Sequence, residues 1–272
     1  MAEPATSLKV PISQPPKMEK SRLMNLPAEI RLKIYRHLMV DDDVLRIRSE
    51  DPSVFALRKP LQRHRTTYWI MSGRFRGRCL ETTYCLSNNP DLHPAILAVS
   101  RKSHQEALPV LYSENTFDFY VDVEAVSPFL KDRTSDAVAA MKRIRIVKRP
   151  LPFDREYDRL EWAALCSVLS EATNLSHLEL GIFAGRPSTG WDGVQTYSKL
   201  DFQSLVKHSC ADLEWARDLV AVKGLQNLDV KAIVHRCPPP VSSAMAFFIA
   251  FSASIESGFA AYLASEMVDQ SL

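Results

Sequence analysis

Glycine is scarce in this sequence, with 8 among 272 residues, which leaves little material for the loops that bring backbone N–H groups up to a phosphate. There is no G-x-x-x-x-G-K, G-x-G-x-x-G, G-x-S-x-G or H-E-x-x-H, so the signatures of phosphate loops, dinucleotide folds, nucleophile elbows and zincins are missing. Glu156, Asp158 and Glu161 are interleaved with Arg155 and Arg159 and read as a solvated helix start. No catalytic residue, no enzymatic activity and no cofactor are expected. Cysteine is sparse and odd in number, with Cys79, Cys85, Cys166, Cys210 and Cys237 at irregular spacings. Neither Cys79, Cys85 and His93 nor the pair His208 and Cys210 offers the paired short spacings of a tetrahedral site, so no metal is expected. No apolar signal core follows Met1, and with that cysteine pattern the reading is a reducing compartment, the cytoplasm or nucleus. The formal net charge of +2 exerts no global pull towards nucleic acid or anionic membrane.

Long hydrophobic runs are also missing, with one stretch to weigh. Residues 242–264 carry a single charge, Glu256, but are rich in Ser and Ala, a poor match to the roughly 20 strongly apolar residues of a membrane span. Phe247, Phe248, Phe251, Ile255, Phe259 and Tyr262 recur at steps of three or four, which predicts a packed or partner-facing helix and no membrane anchoring.

What is present falls into three parts. Residues 1–21 hold Pro4, Pro11, Pro15 and Pro16 among small and polar residues and read as a flexible tail. Residues 22–122 open with a helix in which Pro27 sits in the first turn, Glu29 lies near the N-terminus and Ile30, Ile34 and Leu38 share a stripe. Short strands are expected at "VLRIR" and "TTYWI". A second helix is expected from about Pro94, with Ile96, Ser100, Ser103, Ala107 and Leu111 near one face and Pro109 breaking it or opening a new turn. Phe117, Phe119 and Val121 then alternate as a strand.

Residues 123–272 repeat a helix followed by a short strand, the strands centred on Ile144/Ile146, Leu178/Leu180 and Leu228/Val230. Alternating helices and strands favour a parallel sheet. "NLSHLEL" and "GLQNLDV" resemble leucine-rich-repeat strands, but Leu178 follows Ile144 by 34 residues and Leu228 follows Leu178 by 50, too irregular for a solenoid. The fold class expected is α+β or α/β, with N-terminal helices and short strands, irregular repeat-like helix and strand units, and a C-terminal helix.

Between residues 58 and 78 stand Arg58, Lys59, Arg63, Arg65, Arg74, Arg76 and Arg78 with no acidic residue, interleaved with Tyr68, Trp69 and Phe75. Basic and aromatic side chains together are able to bind nucleic acid or an acidic partner. One basic segment without a reading element favours a solvated loop instead.

"LPAEIRLKIYRHL" resembles the first helix of an F-box, the module by which substrate receptors attach to the adaptor of a cullin-based ubiquitin ligase. The matching positions are Leu26, Pro27, Glu29, Ile30, Ile34 and Leu38. It is more similar still to a large group of fungal F-box-like proteins with an E-x-R motif, here Glu29, Ile30 and Arg31. "ILAVSRKSHQEALPVLYSENTFDF" resembles that group's second helix and following strand. A long insertion separates the two helices, and Arg101 and Glu106 are the remaining counterparts of its later charged positions.

The resemblance implies a protein-interaction role, with Leu26, Pro27, Ile30, Ile34 and Leu38 as a stripe that docks on the ligase adaptor and an unknown protein as substrate. The alternative is a closed structural domain in which that stripe is spent on the second helix. On either reading, Glu29, Arg31, Arg101 and Glu106 are placed to pair where the two helices meet.

Overall fold

Polar and apolar residues alternate in R-I-R-I, H-L-E-L and N-L-D-V, a period of two that gives each strand one wet and one dry face. The computed structural model describes residues 22–50, 66–70, 78–150, 158–171, 174–188, 194–208 and 210–269. The tail expected over 1–21, most of the basic segment and Glu156 lie outside them.

The strands are β1 (Leu45–Glu50), β2 (Thr66–Ile70), β3 (Arg78–Leu86), β4 (Phe117–Tyr120), β5 (Arg143–Lys148), β6 (His177–Pro187) and β7 (Asn227–Cys237). They form one mixed sheet in the order β2-β3-β1-β4-β5-β6-β7. From β1 through β4, β5 and β6 to β7 every pairing is parallel, while β3 runs antiparallel to both β1 and β2. The strands expected at "VLRIR" and "TTYWI" are β1 and β2. The three strand centres named from sequence lie side by side: Ile144 pairs with Leu178 and Leu178 with Leu228, then Ile146 with Leu180 and Leu180 with Val230. Residue 122 falls between the neighbouring strands β4 and β5, so the sheet is continuous across the boundary expected there.

The α-helices among the described residues are α1 (Ala28–Met39), α2 (Arg101–Glu114), α3 (Val126–Lys131), α4 (Ser135–Ala140), α5 (Asp158–Glu171), α6 (Lys199–Lys207), α7 (Glu214–Leu219), α8 (Ser243–Ser254) and α9 (Ala260–Met267), and from β3 to β7 each connection holds at least one. Their starts are chemically marked. The side chains of Ser100, Thr134, Ser198 and Ser242 accept from backbone N–H groups of the first turns, and Ser198 with Asp201 forms a reciprocal capping box. The second helix departs from expectation at both ends. Pro94–Ala98 is a 3-10 turn, the α-helix begins after the Ser100 cap, and it runs through Pro109 to Glu114. Proline removes one hydrogen bond from a helix interior, and here the burial of Ala107, Leu108, Val110 and Tyr112 around it offsets that loss and the helix continues. Of the alternating trio expected after it, Phe117 and Phe119 are buried, but the strand ends at Tyr120 and leaves Val121 in a turn.

The main core lies under the sheet, where Ile144, Ile146, Leu178, Leu180 and Ile182 meet Trp162, Leu165, Phe202, Trp215, Phe251 and Phe259. Glu161 is buried in the first turns of α5 at 5% exposure, a correction to its reading as part of a solvated start. The stretch Ser243–Met267 is long and apolar enough to cross a membrane by length and composition. In this structure Phe251, Ile255, Phe259, Tyr262, Leu263 and Met267 from that stretch belong to the main core. A π-helical turn at Ile255–Phe259 joins α8 to α9. There Gly258 lies so close to the Tyr197 carbonyl that a Cβ would collide with it.

Candidate interaction surfaces

Helix α1 presents two different faces. Its buried side is Arg31, Tyr35 and Met39, one residue offset from the stripe expected from sequence. Tyr35 and Met39 pack with Ala107 and Val110 of α2 in a small cluster apart from the main core. Beside them Arg31 grips Glu106 as a fork: Nε donates to Oε2 at 2.7 Å and a terminal nitrogen to Oε1 at 2.6 Å. The Tyr35 hydroxyl donates to the same carboxylate at 3.1 Å, and Arg31 also donates to the Leu26 carbonyl. This network holds the Glu106 carboxyl below its ordinary range, chiefly through the hydrogen bonds from Arg31. Burial, aided by the bond to Glu106, pushes the Tyr35 phenol up.

Further along, Arg36 pairs with Glu114 at 2.9 Å and Asn115 donates to the Met39 carbonyl at 2.7 Å. Contacts 31 to 106, 36 to 114 and 39 to 115 mean that α1 and α2 run parallel. Of the four charges expected to pair, Arg31 and Glu106 meet, while Glu29 and Arg101 stay exposed.

The five residues expected to dock divide. Leu26 and Ile30 are exposed at 37% and 42%, and Pro27 is exposed as well. Ile34 is half-buried, and Leu38 is half-buried against the Tyr35 and Met39 cluster. Leu32, absent from the expected stripe, is exposed at 36%. The exposed apolar edge at the start of α1 is thus Leu26, Pro27 and Ile30, while Leu32, two residues beyond Ile30, lies on a different side of the helix. A helix with four-residue steps on both sides does not disclose in sequence which one meets the neighbour.

A second surface is the outward face of the parallel strands. One register row crosses five of them: Arg46 opposite Asp118, Asp118 opposite Arg145, Arg145 opposite Glu179 and Glu179 opposite Asp229. Arg145 donates to Glu179 at 2.7 Å, and the like charges of Glu179 and Asp229 are offset by Lys231, which pairs with Asp229. A groove of about 530 Å³ lies along this row, lined also by Arg48, Tyr120, Val147, Gly181 and Ile233. Parallel sheets usually bury both faces, so a charged, partly exposed face is the departure here. It was not anticipated from sequence, although the charges that alternate with Ile144, Leu178 and Leu228 carried the signal.

The remaining candidates are weaker. Cys166, Cys210 and Cys237 are free thiols, and burial pushes that of Cys166 up to about 12, which leaves it unreactive at neutral pH. Among the described residues no three His, Cys, Asp or Glu side chains come together to hold a metal. The side chains of the basic segment up to Arg78, Cys79 among its neighbours, lie outside the description.

The fold and these surfaces define an α/β protein with a mostly parallel sheet and two exposed, chemically distinct faces. The family model described as Domain of unknown function (DUF7730) matches residues 17–208, and the chain belongs to that family. The match runs from before α1 to the end of α6 and stops short of α7, β7, α8 and α9. No curated protein and no solved structure matches the chain.

Proposed function

We propose that this chain is a non-catalytic protein-interaction protein of the cytosol or nucleus that docks through the exposed edge of α1. On this reading the docking partner is the adaptor of a cullin-based ubiquitin ligase, as the F-box-like pattern of Leu26, Pro27, Ile30, Ile34 and Leu38 implies, and the chain recruits a protein substrate to it. The observation that carries the reading is the exposure of Ile30, at 42%, on the helix whose neighbours Arg31 and Tyr35 are buried. A helix enters a partner's groove with apolar anchors spaced by three or four residues, and Leu26 and Ile30, four apart at the start of α1, stay outside its own fold.

The Arg31, Tyr35 and Glu106 network adds rigidity, because a helix already fixed on its scaffold loses less freedom on binding. Ile34 and Leu38 serve at the margin, since both are partly spent inside. The test is co-purification of the full chain with the adaptor, against the variants Ile30→Asp and Leu26→Asp. The expected result is capture by the parent chain and loss of capture by both variants with an unchanged melting temperature. Absence of capture by the parent chain ends the ligase reading.

A further inference from the structure

We infer that the groove on the exposed face of the sheet binds an extended peptide segment of a partner protein, seating an apolar side chain over Val147, Gly181 and Ile233. This site is separate from the edge of α1 and stands whether or not that edge meets a ligase adaptor.

The groove is built from three kinds of surface. Its floor is apolar, and Gly181 is central to it: methyl groups of Val147 and Ile233 each lie 2.9 Å from where a Cβ would stand, so a side chain at 181 would fill the floor. One wall is the row Arg46, Asp118, Arg145, Glu179 and Asp229. The third is the ring of Tyr120 of β4, which lines the groove and is backed by Phe183 of β6 at 6.5 Å between ring centres, and Phe183 in turn meets His235 of β7 at 4.9 Å.

Tyr120 holds its position at a conformational cost. Its φ is +48°, in the left-handed region that bulky residues avoid. The Asp118 carboxylate, 5% exposed, accepts from the Tyr120 N–H at 2.9 Å, and Arg48 lies 5.5 Å over the ring. Such strain persists only where the surroundings impose it, and it clusters at ligand clamps.

Charge and length select the occupant. Four cations (Arg46, Arg48, Arg145, Lys231) and three carboxylates (Asp118, Glu179, Asp229) line the groove, so a nucleic-acid backbone would bring phosphates against carboxylates and a polycation would meet the arginines. With the charges already paired, what the wall offers is unused carboxylate lone pairs and guanidinium N–H groups. Peptide amides carry one donor and one acceptor per residue and match such a wall without a net charge of their own. The row crosses five strands, roughly 19 Å at the usual strand spacing, which is about six residues of extended chain.

The probe is a phage-displayed library of random peptides selected on the immobilised full chain, with enriched sequences synthesised and their affinity read by fluorescence anisotropy. A shared pattern of an aromatic or aliphatic residue flanked by residues of both charge signs is expected. Tyr120→Asn keeps a residue that tolerates positive φ and removes the ring, so the melting temperature should hold or rise while affinity falls about tenfold. Lys231→Glu, at a side chain 65% exposed, should weaken binding comparably and shift the selected charges. If Tyr120→Asn lowers the melting temperature, Lys231→Glu alone decides. The inference is overturned by any of four results: no enrichment, unchanged affinity in Lys231→Glu, loss of binding in Ile30→Asp instead, or displacement of the peptides by a single-stranded oligonucleotide.

Discussion

Beneath the sheet, Trp162, Phe202, Phe251 and Phe259 are exposed by 2% or less and their rings meet in an edge-to-face cluster around Trp215. Between α1 and α2 the buried apolar set is only Tyr35, Met39, Ala107 and Val110, and the neighbouring contact is a guanidinium on a carboxylate. The first region is held by apolar area, which is non-directional and scales with what is removed from water. The second has little area and relies on directed hydrogen bonds, which fix how α1 is rotated on α2. That rotation leaves Leu26, Ile30 and Leu32 outside.

The largest effect that separates the two regions is expected from Trp162→Ala. It empties a large site and removes the indole donor to the Trp215 carbonyl at 2.9 Å, so a loss of about 3–5 kcal/mol should appear in denaturant melts of the whole chain. Glu106→Gln comes next, with a cost that lies between this and that of Tyr35→Phe, and its signature is in pH. The folded-state value of Glu106 is depressed, so its contribution is complete above the ordinary glutamate range and is lost as pH falls through and below that range. Melting temperatures of the parent chain should therefore decline on acidification more steeply than those of Glu106→Gln. An identical decline in both would remove the carboxylate from the account of α1.

Tyr35→Phe deletes one hydrogen bond to Glu106 and leaves the ring in place, so about 0.5–1.5 kcal/mol is expected from equilibrium unfolding. Smallest is Ile30→Asp, which on an exposed helix face should change stability by no more than about 0.5 kcal/mol. A larger loss there would mean that Ile30 is held within the fold and that the two sides of α1 are less different than described.

Much of the sheet was legible because period two is local. "RIRI", "HLEL" and "NLDV" each announce a strand, and their apolar members pair in register across β5, β6 and β7. The partnership of the first helix with the stretch around Glu106 was legible in part, since of the four charges expected to pair there Arg31 and Glu106 meet. Less legible were β3, whose partners β1 and β2 come from separate stretches, and α6, whose capping box at Ser198 and Asp201 was the available sign. The offset from Ile30, Ile34 and Leu38 to Arg31, Tyr35 and Met39 had no local signal. Both stripes satisfy the helical period, and a buried arginine is disfavoured until its carboxylate partner is in view.

The sequence by itself determined most of the elements and the dry faces of β5, β6 and β7, because helix caps, apolar periods and the alternation of polar residues act over a few residues. The tertiary structure alone decided which side of α1 is spent, that Asp118, Arg145, Glu179 and Asp229 form one row, and that Tyr120 is forced to positive φ beside it. Each of these depends on side chains dozens of residues apart arriving within hydrogen-bonding or packing distance, and no local pattern encodes that approach.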